Sequence, residues 1–137
     1  QIKRIKKHIF IKRSNTFFYN KILNKMNLPI KLPSEKSYCS SVFWMYGIVI
    51  KNKLMKASIL AKKLMRYGIE TRPLFLGMHR QPVFKHLNFY NERKNFPVTD
   101  ELSDYGLYLP SGLKLKKKDI IYVCEKLKKI FKNENKK

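Results

Sequence analysis

The chain has 137 residues, which suits one domain and leaves little room for a second. Its 31 Lys and Arg against 9 Asp and Glu give a formal charge of +22, beside 44% hydrophobic and 13% aromatic residues. That mix excludes a chain disordered over most of its length, and no stretch reaches the roughly 18 uncharged apolar residues of a membrane span.

The elements follow in chain order. From Ile2 to Met26, apolar residues recur at three- and four-residue steps between Lys and Arg, which predicts a long amphipathic helix weakened around Ser14 to Thr16. Asn27, Pro29 and Pro33 stop it and open an extended polar connection. Val42 to Ile50, rich in aromatic and β-branched residues, reads as a buried strand in which Trp44 and Tyr46 pack the sheet. Leu54 to Tyr67 returns to helical spacing, with Gly68 placed as the left-handed residue after its end. Ile69 to Arg72 is a short strand stopped by Pro73. Leu74 to Pro97 has no clean period and reads as a long loop with one helical turn near Pro82 to His86. A loop of this length in a small domain points to function. Val98 to Tyr105 is a short helix, Leu107 to Leu109 a strand, and Lys117 to Phe131 the clearest amphipathic helix. Asn133 to Lys137 is a basic tail. The predicted class is α+β, a small mostly antiparallel sheet of about three strands covered by helices.

A charge of +22 raises nucleic acid as a partner. Residues 1–36 hold ten basic and one acidic side chain, 37–112 eleven and five, and 113–137 ten and three, so the excess is spread along the whole sequence. It is mostly lysine, with six arginines, in the company of abundant Asn, Ile, Phe and Tyr, as expected where surface positions drift toward A/T-rich codons. A solvated, compositionally biased surface therefore leads, and a stand-alone basic nucleic-acid-binding module is the alternative.

No complete catalytic set is present. His79 and His86 lie seven residues apart with no ligands at zinc spacing, so no metal site is expected. Ser40, Ser41 and Ser111 lack a nucleophile elbow, and no Gly-rich run could wrap a phosphate. Cys39 and Cys124 make neither a disulfide framework nor a ligand set and suit a reducing cytoplasm. The segment from Thr71 to Pro82 is the most distinctive. Pro73 fixes the turn after Arg72, and Met78-His79-Arg80-Gln81-Pro82 follows, so Arg72, His79 and Gln81 could hold an anionic or hydroxyl-rich ligand. Alternatively, Arg72 pairs with a carboxylate and His79 caps a turn.

The run Gly68-Ile69-Glu70-Thr71-Arg72-Pro73, then Phe75, Met78-His79-Arg80-Gln81-Pro82, Phe96-Pro97-Val98 and Leu107-Tyr108-Leu109-Pro110-Ser111-Gly112, resembles the C-terminal part of the DegT/DnrJ/StrS sugar aminotransferases. Phe43-Trp44-Met45-Tyr46-Gly47-Ile48 is similar to the preceding strand in members of the perosamine synthase type. Gln1 with the Arg13-containing helix resembles the segment after the family's active-site lysine. The resemblance implies the small domain of a pyridoxal-phosphate enzyme of the aspartate aminotransferase fold type. Such an enzyme moves an amino group from glutamate to a keto-deoxy nucleotide sugar and works in the cytoplasm as a homodimer. Residues 1–30 would link to a large domain preceding Gln1, residues 31–132 would form the small domain, and 133–137 the tail. The cofactor and catalytic lysine would belong to that large domain, so the chain alone would be inactive and no lysine here is assigned the Schiff-base role. Carried over by position, Arg72 and His79, with Gln81 beside them, would bind substrate at the active-site mouth.

Overall fold

The structure, a computed structural model, describes residues 2–86 and 96–134. Residues 87–95 of the expected loop, residues 135–137 of the expected tail and residue 1 lie outside it. After a 3-10 turn at Ile2–Arg4, α1 (Ile5–Met26) runs without a break through Ser14 to Thr16, where weakening is expected from sequence. Thr16, Tyr19 and Leu23 are buried on one stripe, and tertiary packing of that stripe overrides the poor helix formers beside it. Asn27, left-handed at φ 46°, closes the helix.

β1 (Ile30–Lys31) falls inside the segment expected as a polar connection; two residues are too few to show a period. β2 (Tyr46–Ile50) alternates strictly between core and outside. α2 (Ala57–Met65) buries Ala57, Leu60 and Leu64, and Gly68 follows at φ 70°, the left-handed conformation that glycine adopts without strain. β3 (Arg72–Pro73), α3 (Pro82–His86), α4 (Pro97–Tyr105), β4 (Gly106–Leu109) and α5 (Lys117–Glu134) complete the chain. The helix at the C-terminus thus takes in Asn133 and Glu134, the first residues of the expected tail.

The four strands form one antiparallel sheet in the order β1-β2-β4-β3, one strand more than expected. Pro73 cannot donate to a ladder, and β3 accordingly pairs only with β4, at the sheet edge. Tyr46, Ile48 and Ile50 of β2 and Leu107 and Leu109 of β4 face a core completed by Tyr19 and Leu23 of α1, Leu60 and Leu64 of α2 and Leu127 and Phe131 of α5. Tyr19 stacks on Tyr46 at 4.4 Å between ring centres, with its hydroxyl donating to Pro110 O at 3.0 Å. The Tyr46 hydroxyl donates to Asn20 Oδ1 at 2.6 Å, so both buried phenols are satisfied. Burial raises both phenol pKa values and pushes the Cys124 thiol up to about 12, an inert packed group.

Candidate functional site

The face of the sheet turned away from this core carries the site. β2 and β4 set Gly47 opposite Tyr108, and with no side chain at 47 the phenol ring lies across the neighbouring strand; a Cβ there would stand 3.3 Å from Tyr108 Cε1. Phe75 meets the Tyr108 ring edge-on at 6.1 Å. Trp44 is 65% exposed and Phe75 71%. Tyr46 packs in the core as expected, but Trp44 does not pack the sheet. The backbone bends at Trp44 and Met45, so the two-residue alternation of β2 does not extend back to Trp44, and its indole is left in solvent.

Two grooves meet at Arg72. One, of about 390 Å³, lies among Lys12, Trp44, Phe75 and Tyr108. The other, of about 710 Å³, opens where the chain before Arg72 diverges from Leu109 to Gly112, with Asp119 and Tyr122 of α5 on its far side. Met45, Arg72, Tyr108 and Ser111 line both. The Arg72 side chain is exposed, and among the described residues no carboxylate lies within ion-pair distance of it. The alternative of a carboxylate partner for Arg72 is therefore not met among the described residues.

Lys12 was not singled out from sequence. Its ammonium donates to Trp44 O at 2.8 Å and to Ser111 O at 2.6 Å, tying α1 to the entry of β2 and the exit of β4. Partial burial lowers its pKa. A sequence signal existed: positions 5, 9, 12, 16, 19 and 23 form one helical stripe, on which Lys12 and Thr16 interrupt the apolar residues. Arg13 braces the rim nearby. Its guanidinium forks onto Glu35 at 2.7 and 3.1 Å, donates to Ser40 Oγ at 3.0 Å and to Ser41 O, and lies 5.7 Å from the Phe43 ring centre. The Arg13 hydrogen bond, helped by the Ser41 N–H at 2.6 Å, holds the Glu35 carboxyl below its ordinary pKa.

His79 and Gln81 sit apart from these grooves, on the loop that faces α4. His79, in the turn Met78–Arg80, places Nε2 2.9 Å from Asp100 Oδ1 and stacks on Phe96 at 4.7 Å. Arg80 donates to Asp104 at 2.8 Å and keeps that carboxyl below its ordinary pKa. Ser103 Oγ donates to Phe75 O at 3.1 Å and accepts from Gly77 N–H at 3.2 Å, and Gln81 Nε2 donates to Leu76 O at 3.4 Å. The loop is thus pinned to α4, and Phe75 is delivered from it to the Arg72 groove. Neither His79 nor Gln81 lines the two grooves that contain Arg72.

These residues do not compose a pyridoxal phosphate site. Such a site needs a lysine free to reach the cofactor and a cradle of N–H donors for its phosphate. Lys12, the lysine in the groove, is committed to two carbonyls.

The family model for the DegT/DnrJ/EryC1/StrS aminotransferases matches residues 1–128, and the chain belongs to that family. The GDP-perosamine synthase of Escherichia coli O157:H7 is 27% identical over 135 residues, 96% of this chain and 34% of that protein. The Vibrio cholerae GDP-perosamine synthase is likewise 27% identical, over 132 residues, 96% of this chain and 35% of that protein. The chain therefore spans about a third of the length of the curated relatives it matches. Among solved structures, the E. coli GDP-4-keto-6-deoxy-D-mannose-3-dehydratase with bound hydrated PLP superposes with TM-score 0.77 at 22% identity, over 93% of this chain and 32% of the other. The sugar aminotransferase CalS13 of Micromonospora echinospora gives 0.75 at 20%, over 93% of this chain and 32% of the other. Both share the fold.

Proposed function

We propose that this chain is the small domain of a pyridoxal-phosphate enzyme that transfers the amino group of glutamate to the keto carbon of a nucleotide-linked deoxy sugar. The cofactor, its lysine and most of the pocket would come from polypeptide corresponding to the remaining two-thirds of the relatives' length, within a homodimer. Bound there, pyridoxal phosphate would supply the electron sink for transamination. One observation carries the proposal. The sheet face opposite the core presents an Arg72 guanidinium with no carboxylate partner among the described residues, between two grooves bordered by exposed Trp44 and Phe75, a combination a free-standing domain would cover or neutralise.

In this assignment Arg72 binds an anionic group of the substrate and the aromatic rings take its apolar face. His79 and Gln81 act at the mouth by fixing the loop that carries Phe75. The test is a fusion of this chain to the first two-thirds of the E. coli GDP-perosamine synthase. The expected result is a pyridoxal absorbance band and glutamate-dependent amination of a nucleotide-linked keto sugar, neither of which is expected from the 137-residue chain alone. In the fusion, Arg72→Ala should raise the substrate KM by about tenfold or more, the loss of a charge-assisted contact. A folded, cofactor-loaded fusion that aminates no nucleotide sugar, or a pyridoxal band from the isolated chain, overturns the assignment.

A further inference from the structure

Spread evenly along the sequence, the basic residues are sorted in space by folding. α4 carries Asp100, Glu101 and Asp104 and neither Lys nor Arg. The outer surface of α1, α5 and α2 is predominantly basic, with Glu125 of α5 exposed among the lysines. Lys21 and Lys25 of α1 and Lys128 of α5 rim one shallow groove of about 350 Å³ over Phe18 and Ile22. Further round α5, the Lys126 ammonium lies 4.7 Å from the centre of the Tyr122 ring and 5.3 Å from that of Tyr67. Lys129 lies 5.6 Å from the same Tyr67 ring, just beyond the end of α2. Lys63 and Arg66 of α2 then share a groove with Ile130 and Asn133. Of the cations in this run, Lys63 is paired with Glu134; none of the others has an ion pair among the described residues.

We propose that this three-helix face binds the phosphodiester backbone of a nucleic acid, a function separate from the amination assigned above. Ammonium groups that outnumber the carboxylates Glu125 and Glu134 on this face release counterions from a polyphosphate, and that release supplies sequence-independent affinity. Lysines dominate the strip, which suits contact with phosphates rather than bidentate reading of base edges. An anionic bilayer is the poorer occupant. α5 buries its apolar stripe, Ile120, Val123, Cys124, Leu127, Ile130 and Phe131, inside the domain and leaves Ile121 and Tyr122 part-exposed, too small an apolar face to insert.

The experiment is fluorescence anisotropy of the 137-residue chain with a labelled DNA duplex of about 30 base pairs, repeated across a salt series. With about four phosphates engaged, affinity should fall on the order of 10²-fold between about 50 and 200 mM salt. The variant Lys21→Glu, Lys25→Glu, Lys128→Glu should lose at least about tenfold and lower the salt slope by about 3. Lys3→Glu, Lys6→Glu, Lys7→Glu makes the same charge change at the exposed start of α1 and should lose less than about threefold. Should the first variant fold poorly by circular dichroism, Lys128→Gln with Lys129→Gln, set against Lys6→Gln with Lys7→Gln, gives the comparison without charge reversal. Equal losses at the two locations, a flat salt series, or capture by phosphatidylserine vesicles without duplex binding would overturn the proposal.

Discussion

On the helix-covered side of the sheet, Tyr46, Ile48, Leu107 and Leu109 are at most 2% exposed, while around the opposite side Trp44 and Phe75 remain 65% and 71% exposed. β2 and β4 supply the covered residues, while Trp44 and Phe75 come from the segments before β2 and after β3, so the contrast comes from what packs on each side. The covered side is held by transfer of apolar area from water and by close packing, which are worth kilocalories. The open side is held by directed polar contacts at its rim, Lys12 on two carbonyls and Arg13 on Glu35, which fix geometry with little burial. The two sides thus divide the work: one folds the chain, and the other is kept shaped but uncovered.

The sharpest way to break the comparison is to delete packing on each side in turn. Leu127 of α5 is 0% exposed, so Leu127→Ala should cost about 2–5 kcal/mol through lost transfer energy and a residual cavity. Trp44→Ala removes a larger side chain from solvent-exposed ground and should change stability by less than about 0.5 kcal/mol. Urea unfolding followed by circular dichroism measures both. Comparable losses in the two variants would mean that the open face is packed in solution and the contrast is false.

Next in size is a test of how tightly β4 is held against the loop after β3. A methyl group added at Gly106 would run into the Leu74 side chain and the carbonyl oxygen of Leu102, and the backbone oxygen cannot rotate away. Gly106→Ala should therefore cost about 1–3 kcal/mol by overpacking. At Gly47 the first neighbour is the edge of the Tyr108 ring at 3.3 Å, which can swing outward, so Gly47→Ala should cost less than Gly106→Ala. The same unfolding curves rank the pair, and the reverse order would mean Tyr108 is rigidly seated.

What could be seen in the sequence divides along the same line. α5 was legible because its buried residues keep a helical period from Ile120 to Phe131, about three turns, and β4 because Gly106 and Pro110 bracket three apolar residues. β1 was not, since Ile30 and Lys31 acquire their strand character only by pairing with Val49 and Ile50. Trp44 was misplaced because a bend outside the strand, invisible to a two-residue period, decides where it points. Arg72 was singled out through its place in a motif, and the fold leaves it exposed where two grooves meet. His79 and Gln81 were singled out by the same motif, but what pins their loop comes from α4: Asp100 lies 21 residues from His79, and Asp104 lies 24 from Arg80. The gathering of lysines on α1, α2 and α5 was hidden for the same reason, being a product of helix packing rather than of order along the chain.

The smallest effect expected lies at the rim and depends on pH. Arg13 and then the Ser41 N–H hold the folded Glu35 carboxyl below its ordinary pKa, so the unfolded chain binds this proton more readily than the folded one. The stabilisation is therefore present above the unfolded value, about 4.3, and is lost as pH falls through the lower folded value. Asp104, held down by Arg80, titrates in the same direction and would mask Glu35 in a single acid curve. A difference curve removes it. Glu35→Gln keeps the shape and discards the charge, so wild type should exceed the variant in urea midpoint at neutral pH. The two midpoints should converge as Glu35 becomes protonated, since both side chains are then neutral. If the gap persists unchanged into acid, the Arg13 fork contributes through shape alone, and the open side is held by packing after all.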